Sequence, residues 1–450
     1  MDQAEAQAMT LEEKLRVMKN AAAKSAREQA LDRELEYLRR REARAKQLPA
    51  ERAPRGIEEY VEGQVERNEA GEFFLARQAL PFGRPYGRLR IGDIAAANLE
   101  ALDIFLGPSR NGAGARHGAL TEAERLVFLD TETTGLAGGT GTVAFLIGVG
   151  KVEGSSFVVR QFFLRDYPEE KAALRALAEL LVDAEGLVTF NGKTFDVPLL
   201  ETRHTLARMK SPFPRLAHLD MLHPSRQMWK LRLESCALTD LERAVLGIAR
   251  EGDVEGSEIP AIYFDYLRTG DPRGLAPVFY HNALDILTLA ALAVELARVI
   301  EGARNGESTP ASSLDLYSLS RIFRRTGEAE KSLATCEQAL ASGLPAVVET
   351  RALWEMACEH KRQRRHELAV PIWRELTRRK ARSEGNGRPF GILACEELAI
   401  HYEHRIRDAM QALAFTEQAL DTLRESSHPS SLFHRFNHRR QRLERKARLG

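Results

Sequence analysis

The chain reads as an α/β protein, a mixed sheet flanked by helices, followed by an all-α region of repeated helices. Three observations predict this. Short apolar runs bounded by turns alternate with amphipathic stretches between residues 121 and 305; a polar connector, GARNGESTPASS, follows; and from Leu316 the pattern is almost wholly helical. Residues 1–55 carry opposite charges at helical spacing and predict a solvated helix or a partly disordered arm. A basic tether for nucleic acid is the competing reading, diluted by the interleaved acids. Residues 56–120 hold short runs such as EFFLARQALPF and YGRLRIGDI, punctuated by Gly and Pro, and predict a small strand-containing module ahead of the main domain. LVFLD reads as a buried strand, TVAFLIGVGKVEG and SFVVRQFFLRD as a hairpin after it, EEKAALRALAELLVDA as an amphipathic helix and GLVTF as a returning strand. NGK then turns the chain so that TFDVPLLETRHTLARM begins a helix, and HNALDILTLAALAVELARVI has helical apolar spacing.

Composition bounds the function. At 450 residues there is room for about two to four domains. A content of 44% hydrophobic and 29% charged residues is ordinary for a globular chain, and a net charge of +1 leaves any attraction to polyanions to local patches. Cys236, Cys336, Cys358 and Cys395 form no CxxC pair, which argues against structural zinc and against a disulfide framework. The N-terminal MDQAEAQAMTLEEKLRVMKN has no apolar signal region and no stretch approaches 18 consecutive apolar residues, so a cytoplasmic location without a membrane is expected.

Chemistry concentrates in five groups: Asp130 and Glu132 in LVFLDTETTGL, Asp196 in NGKTFDVP, and His281 and Asp285 in HNALDILTL. Alternation along a strand puts Asp130 and Glu132 on one face, and the four-residue spacing puts His281 and Asp285 on one side of a helix. Singly, each has a structural reading as a turn, cap or surface pair. Their joint occurrence, each at a strand or helix boundary, points to two-metal phosphodiester chemistry. Two hard cations about 4 Å apart neutralise the extra charge on phosphorus and activate water, and such cations take carboxylate oxygens. Histidine is the side chain that ordinarily exchanges a proton near neutral pH, and His281 is the candidate base.

The phrases FLDTETTGLAGGTGTVAFLIGVG, VTFNGKTFDVPLLETR, LESCALTDLERAVLG, EGSEIPAIYFDYLRTGD and HNALDILTLAAL resemble, from about Leu126 to Ile300, the YprB-like proteins of the ribonuclease H-like superfamily, and DTETTGL resembles the first motif of the DEDD (DnaQ-like) exonucleases. The resemblance implies a ribonuclease H-like domain over 121–305 and a 3′ to 5′ exonuclease acting on single-stranded or frayed DNA or RNA with Mg²⁺ or Mn²⁺. It also implies one metal on Asp130, Asp196 and Asp285, and a second on Asp130 and Glu132. The histidine subtype of these enzymes usually has four residues between His and the last Asp; three intervene here, the spacing of the tyrosine subtype. Tyr280 is rotated about 100° from His281 on a helix and is expected to face elsewhere. Thr131, Asn191 and Lys193 beside the motifs, and Arg226 and Lys230 with Trp229 between them, are candidates for substrate binding, the indole stacking on a base. The competing reading of this last group is a helix with its Trp packed inward. Asp220 reads as a capping or supporting carboxylate. A structure-specific endonuclease on the same scaffold, and a nucleic-acid-binding adaptor, are the alternative functions.

Residues 311–450 carry a loose repeat, GEAEKSLATCEQAL, RRHELAVPIWREL and RDAMQALAFTEQAL, which aligns Ser332, Ala369 and Ala412 and, seven later, Ala339, Leu376 and Ala419. Spacings near forty resemble degenerate tetratricopeptide repeats, whose concave surface would bind a protein partner or nucleic acid. The terminal LFHRFNHRRQRLERKARLG, with Phe433 and Phe436 among basic residues, is either a phosphate-contacting helix or the closing helix of the array.

Overall fold

Strands β1 (Gly63–Asn68), β2 (Gly71–Pro81), β3 (Pro85–Tyr86), β4 (Leu89–Arg90), β5 (Leu126–Thr133), β6 (Ala144–Glu153), β7 (Ser156–Phe163), β8 (Gly186–Thr189) and β9 (Ala217–Asp220) carry the sheet structure. Seven of them form one mixed sheet in the order β1-β2-β7-β6-β5-β8-β9, and β3 pairs with β4 in a separate hairpin. The structure is a computed structural model that describes residues 56–106, 120, 122–135, 141–307, 312–379, 389–424 and 430–449. The arm expected over residues 1–55 lies outside them.

The expected hairpin after LVFLD is present as β5-β6-β7, antiparallel throughout, with Gly154 at φ +54° in the turn between Glu153 and Ser156. Strands β5, β8 and β9 run parallel, Leu126 opposite Gly186 and Gly186 opposite Ala217. Residues 56–120 supply β1 and β2, and β2 pairs with β7 from Phe74↔Phe163 to Pro81↔Ser156. This corrects the expectation of a separate module. Phe74 is buried against Phe163 and Phe279, so the segment completes the common core as the edge of the same sheet.

Helices α1 (Glu170–Leu180) and α2 (Asp196–Leu206) cover one face, and α5 (Leu275–Arg304) crosses the other; α3 (Leu222–Trp229) follows β9 and α4 (Ile259–Thr269) precedes α5. The pleat of β5 divides its side chains between them. Val127 and Leu129 pack with Leu174, Leu177 and Leu200, whereas Leu126 and Phe128 pack with Ile286 and Leu289 of α5. Each buried Leu, Ile or Phe of this kind contributes roughly 1.5–3 kcal/mol, so the register that sends Asp130 and Glu132 to the α5 side is held by the apolar residues just before them.

The rest is helical: α6 (Ser313–Thr326), α7 (Ala329–Ala341), α8 (Ala346–Arg362), α9 (His366–Arg378), α10 (Phe390–His401), α11 (Ala409–Arg424) and α12 (Ser430–Leu449), each packed on the next. All six aligned positions, Ser332, Ala339, Ala369, Leu376, Ala412 and Ala419, are buried, and they fall on the alternate helices α7, α9 and α11. The boundary expected near 305–311 is not a break in the core. Leu319, Ile322 and Phe323 of α6 belong to the same apolar cluster as α5, and Arg232 bonds Asp315 at 2.8 and 3.1 Å. Of the two readings of the basic terminus, the closing helix agrees with the packing. Phe436 is 1% exposed, and Arg439, Arg442 and Lys446 converge on Glu403 at 3.3, 2.7 and 2.7 Å. The four cysteines are free thiols, three of them buried. No helix of the described residues is long and apolar enough to cross a membrane.

Candidate active site

The site forms where β8 stops short. β8 pairs with β5 only across Leu126, Val127 and Phe128, so the stretch of β5 from Asp130 onward has β6 on one side and no strand on the other. Period-two alternation turns Asp130 and Glu132 toward α5 and Thr131 the opposite way. Asp196 approaches from that opposite side, in the first turn of α2, where the helix dipole favours a carboxylate; the Thr131 hydroxyl donates to its Oδ1. The turn ahead of Asp196 is tightly specified. Asn191 adopts φ +66°, a Cβ on Gly192 would lie 2.5 Å from the Thr189 side chain, and Asp220 accepts from the backbone N–H groups of Asn191, Lys193 and Leu222 at 2.7, 3.0 and 3.1 Å. Asp220 is thus the capping residue of this turn.

From α5, His281, Asn282 and Asp285 face the strand. The Asn282 amide donates to Asp130 Oδ2 at 3.0 Å, and its own Oδ1 accepts from Gln161 Nε2 at 2.9 Å. Gly148 on β6 leaves the space for this: a Cβ there would meet Asn282 Oδ1 at 2.1 Å. Gly148→Ala is therefore expected to destabilise the fold by about 1–3 kcal/mol, the cost of overpacking a filled interior, and to displace Asn282 from Asp130. Urea unfolding of the variant measures the first effect and the rate of cleavage the second.

Glu132, His281 and Asp285 each offer a ligand atom within 4.8 Å of the other two, a tighter set than the Asp130–Asp196–Asp285 grouping expected for the first metal. His281 Nε2 lies 3.4 Å from Asp285 Oδ2 and 4.0 Å from Glu132 Oε1. Burial, then Asp285, Asp196 and Glu132, holds the Asp130 carboxyl well above the usual carboxylate range, opposed by the Asn282 hydrogen bond. Burial and then Asp285 and Asp196 push Glu132 up to about 8, and burial lifts Asp196 to about 6 against the Thr131 hydrogen bond. Crowded carboxylates that resist ionisation, with one imidazole nitrogen beside them, fit divalent cations that favour oxygen ligands, which would relieve the repulsion.

The raised values make a prediction about the metal-free protein. A carboxyl held above its unfolded value near 4.3 stabilises the fold at low pH, and that stability is lost as pH rises through the folded value. The metal-free melting temperature is expected to fall between pH 4 and pH 8, following Asp196 near 6 and Glu132 near 8. Because cations bind the ionised form, the rise in melting temperature on adding Mn²⁺ grows over the same range. Thermal scans in EDTA and in Mn²⁺ across this range check both; a flat difference between the two curves would contradict the account.

A family model described as RNase_H superfamily matches residues 127–297. YprB of Bacillus subtilis (strain 168), an uncharacterized protein, is 33% identical over 297 residues, spanning 66% of this chain and 69% of YprB. The chain belongs to the ribonuclease H superfamily. Its seven-stranded mixed sheet with helices on both faces is a ribonuclease H-like fold, and membership brings the expectation of phosphodiester hydrolysis.

Around the candidate site, the expected substrate contacts divide. Lys193 and Arg226 make no ion pair among the described residues, and Arg226 is exposed. Trp229 is 2% exposed, packed with Met228 and Leu319 in the core, so the proposed stacking on a base is corrected to the inward-packed helix. The Lys230 ammonium donates to the Glu234 carbonyl. Tyr280 is exposed, rotated away from His281 as expected. Thr131 is engaged with Asp196, and Asn191 shapes the turn.

Two residues beside the candidate site carry no signal in the sequence itself. Asp253 accepts from His281 Nδ1 at 2.9 and 3.0 Å, which fixes the proton on that nitrogen and leaves the Nε2 lone pair toward Glu132 and Asp285. Arg250, almost wholly buried, donates to Glu242, to Asp253 at 3.0 Å and to Asp285. The Glu242 end of this chain is fixed by Thr288 at 2.8 Å and Tyr86 at 3.1 Å. Both new residues fall in REGDVEG, a stretch without periodicity; its proximity to EGSEIPAIYFDYLRTGD is the one available hint.

Proposed function

We propose that the chain is a metal-dependent nuclease, a 3′ to 5′ exonuclease that hydrolyses single-stranded or frayed DNA or RNA with two divalent cations, Mg²⁺ or Mn²⁺. The observation that carries the reading is the convergence of Asp130, Glu132, Asp196 and Asp285 at the open end of β5 with His281 Nε2 turned into the same space. Asp130, Glu132, Asp196 and Asp285 would hold the cations. When bound, these supply neutralisation of the phosphate and activation of the attacking water.

The residues themselves do the rest. His281 Nε2 accepts a proton from water, and Asp253 offsets the charge that then develops on the ring, the role of a carboxylate behind a histidine base. Arg250 holds Asp253 and Asp285 in place through one rigid guanidinium. Lys193 and Arg226 meet the phosphates of the strand. The helical region reads as a tetratricopeptide-like array available to a protein partner.

The test is digestion of end-labelled DNA and RNA, single and double stranded, with Mg²⁺, Mn²⁺ or EDTA. The exonuclease reading expects stepwise shortening from the 3′ end that EDTA abolishes. A circular single strand cut as fast as its linear form would move the assignment to an endonuclease, and binding without cleavage in either metal would leave the adaptor.

A further inference from the structure

A groove of about 280 Å³ lies beside the turn that delivers Asp196. Lys193, His223 and Gln227 line one wall, and Arg325 and Thr326 of α6, the first helix of the helical region, line the other. We propose that this groove binds the phosphodiester backbone of the single-stranded substrate beyond the scissile phosphate, so that the helical region forms one side of the substrate channel. The inference deepens the nuclease reading and rests on it for the identity of the strand.

Three observations carry it. The first is position. Strands β5, β8 and β9 are parallel neighbours whose carboxyl ends share one edge of the sheet; Asp130 is on β5, Lys193 follows β8 and His223 follows β9. Adjacent strands are about 4.8 Å apart, so the β9 end lies roughly 10 Å from β5, about three nucleotides of a stacked strand. The second is charge. Lys193, His223 and Arg226 are all exposed, and none of them makes an ion pair among the described residues. Arg325 stands beside Arg321 and Arg324, which share the single carboxylate of Glu355 with Arg351. Asp220 also lines the groove; its carboxylate accepts from three backbone N–H groups and partly offsets Lys193, so the excess positive charge comes from the Arg325 side. The third is rigidity. Arg325 donates to Gln227 across the groove, and α6 is locked to the nuclease by the Arg232–Asp315 pair and by Phe323 in the common core, so the two walls hold a fixed spacing.

The experiment measures binding apart from cleavage. A fluorescent 15-nucleotide strand is titrated by anisotropy into the full chain carrying Asp130→Asn, with Arg325→Glu, Arg325→Ala or Arg325→Lys added. Lys171→Glu, an exposed charge on α1, is the control. Arg325→Ala is expected to weaken binding about fivefold and Arg325→Glu more, and the slope of log Kd against log salt falls by about 0.7 for each phosphate no longer neutralised. Arg325→Lys retains most of the affinity, which separates charge from folding damage. The penalty is larger on the 15-nucleotide strand than on a dinucleotide.

Arg325→Glu binding like Lys171→Glu overturns the proposal, as does equal displacement of the strand by a polyglutamate peptide of matched charge, which would make the groove a site for acidic protein. Cleavage by the unmodified chain is scored separately. A chain that cleaves while Arg325→Glu binds normally retains the nuclease reading and loses the groove. A chain that binds through Arg325 but cleaves nothing retains the groove and loses the nuclease.

Discussion

Asp130→Asn is expected to lower metal-dependent cleavage by more than about 100-fold, because removing even an outer partner of a metal ligand typically costs 10–100-fold and Asp130 stands in the first rank. The substitution keeps the shape of the side chain, and its carbonyl oxygen can still accept from Asn282 Nδ2. What it removes is one negative charge from a cluster in which Asp285, Asp196 and Glu132 already oppose ionisation of Asp130. Without metal, repulsion falls, so the melting temperature in EDTA is expected to stay level or rise. With Mn²⁺, the gain in melting temperature shrinks because the cations lose a ligand. Opposite changes in the two conditions distinguish a missing ligand from a damaged fold, which would lower both. Turnover within about threefold of the unmodified chain, with an unchanged Mn²⁺ effect, would remove Asp130 from the metal site.

The site residues legible in the sequence share a property: each lies next to a local signal. Asp130 and Glu132 end an apolar strand, Asp196 follows an Asn-Gly turn, and His281 and Asp285 occupy one side of a long apolar helix, so their elements and facing follow from periodicity. Asp253 and Arg250 lack such a neighbour. They reach His281 and Asp285 from 28 and 35 residues away in sequence, through a segment with no repeating pattern, and only the folded chain pairs them.

The same distinction explains β2 and Trp229. EFFLARQALP announces a strand, but its partner β7 lies some eighty residues onward, and strand pairing over that distance leaves no local mark. Trp229 ends the amphipathic α3, with Arg226 before it and Lys230 and Arg232 just after, and amphipathicity alone does not say which side of the helix is covered. α6, arriving from the helical region, packs on α3, and its Leu319 and Phe323 share one apolar cluster with Trp229. The basic terminus is read correctly only once Glu403 is known to be buried beneath it.

His281→Ala is expected to reduce kcat by about 10²–10⁴-fold, the usual worth of a positioned general base, or roughly 3–5.5 kcal/mol of barrier. The KM for an oligonucleotide is expected to change little, since the imidazole is turned toward the carboxylates. Asp253 supplies the internal check on this assignment. It contacts the ring at Nδ1, the nitrogen away from the reaction, so its effect must pass through the orientation and charge of His281. Asp253→Ala is expected to cost about 10–100-fold. Asp253→Asn costs less, because its carbonyl oxygen still accepts from Nδ1–H and preserves the tautomer while losing the charge. In the His281→Ala background, substitution of Asp253 adds almost nothing if the two act as a unit. Full additivity of the two losses would show that Asp253 acts through Arg250 and Asp285 instead, and normal turnover by His281→Ala would take the histidine out of the chemistry altogether.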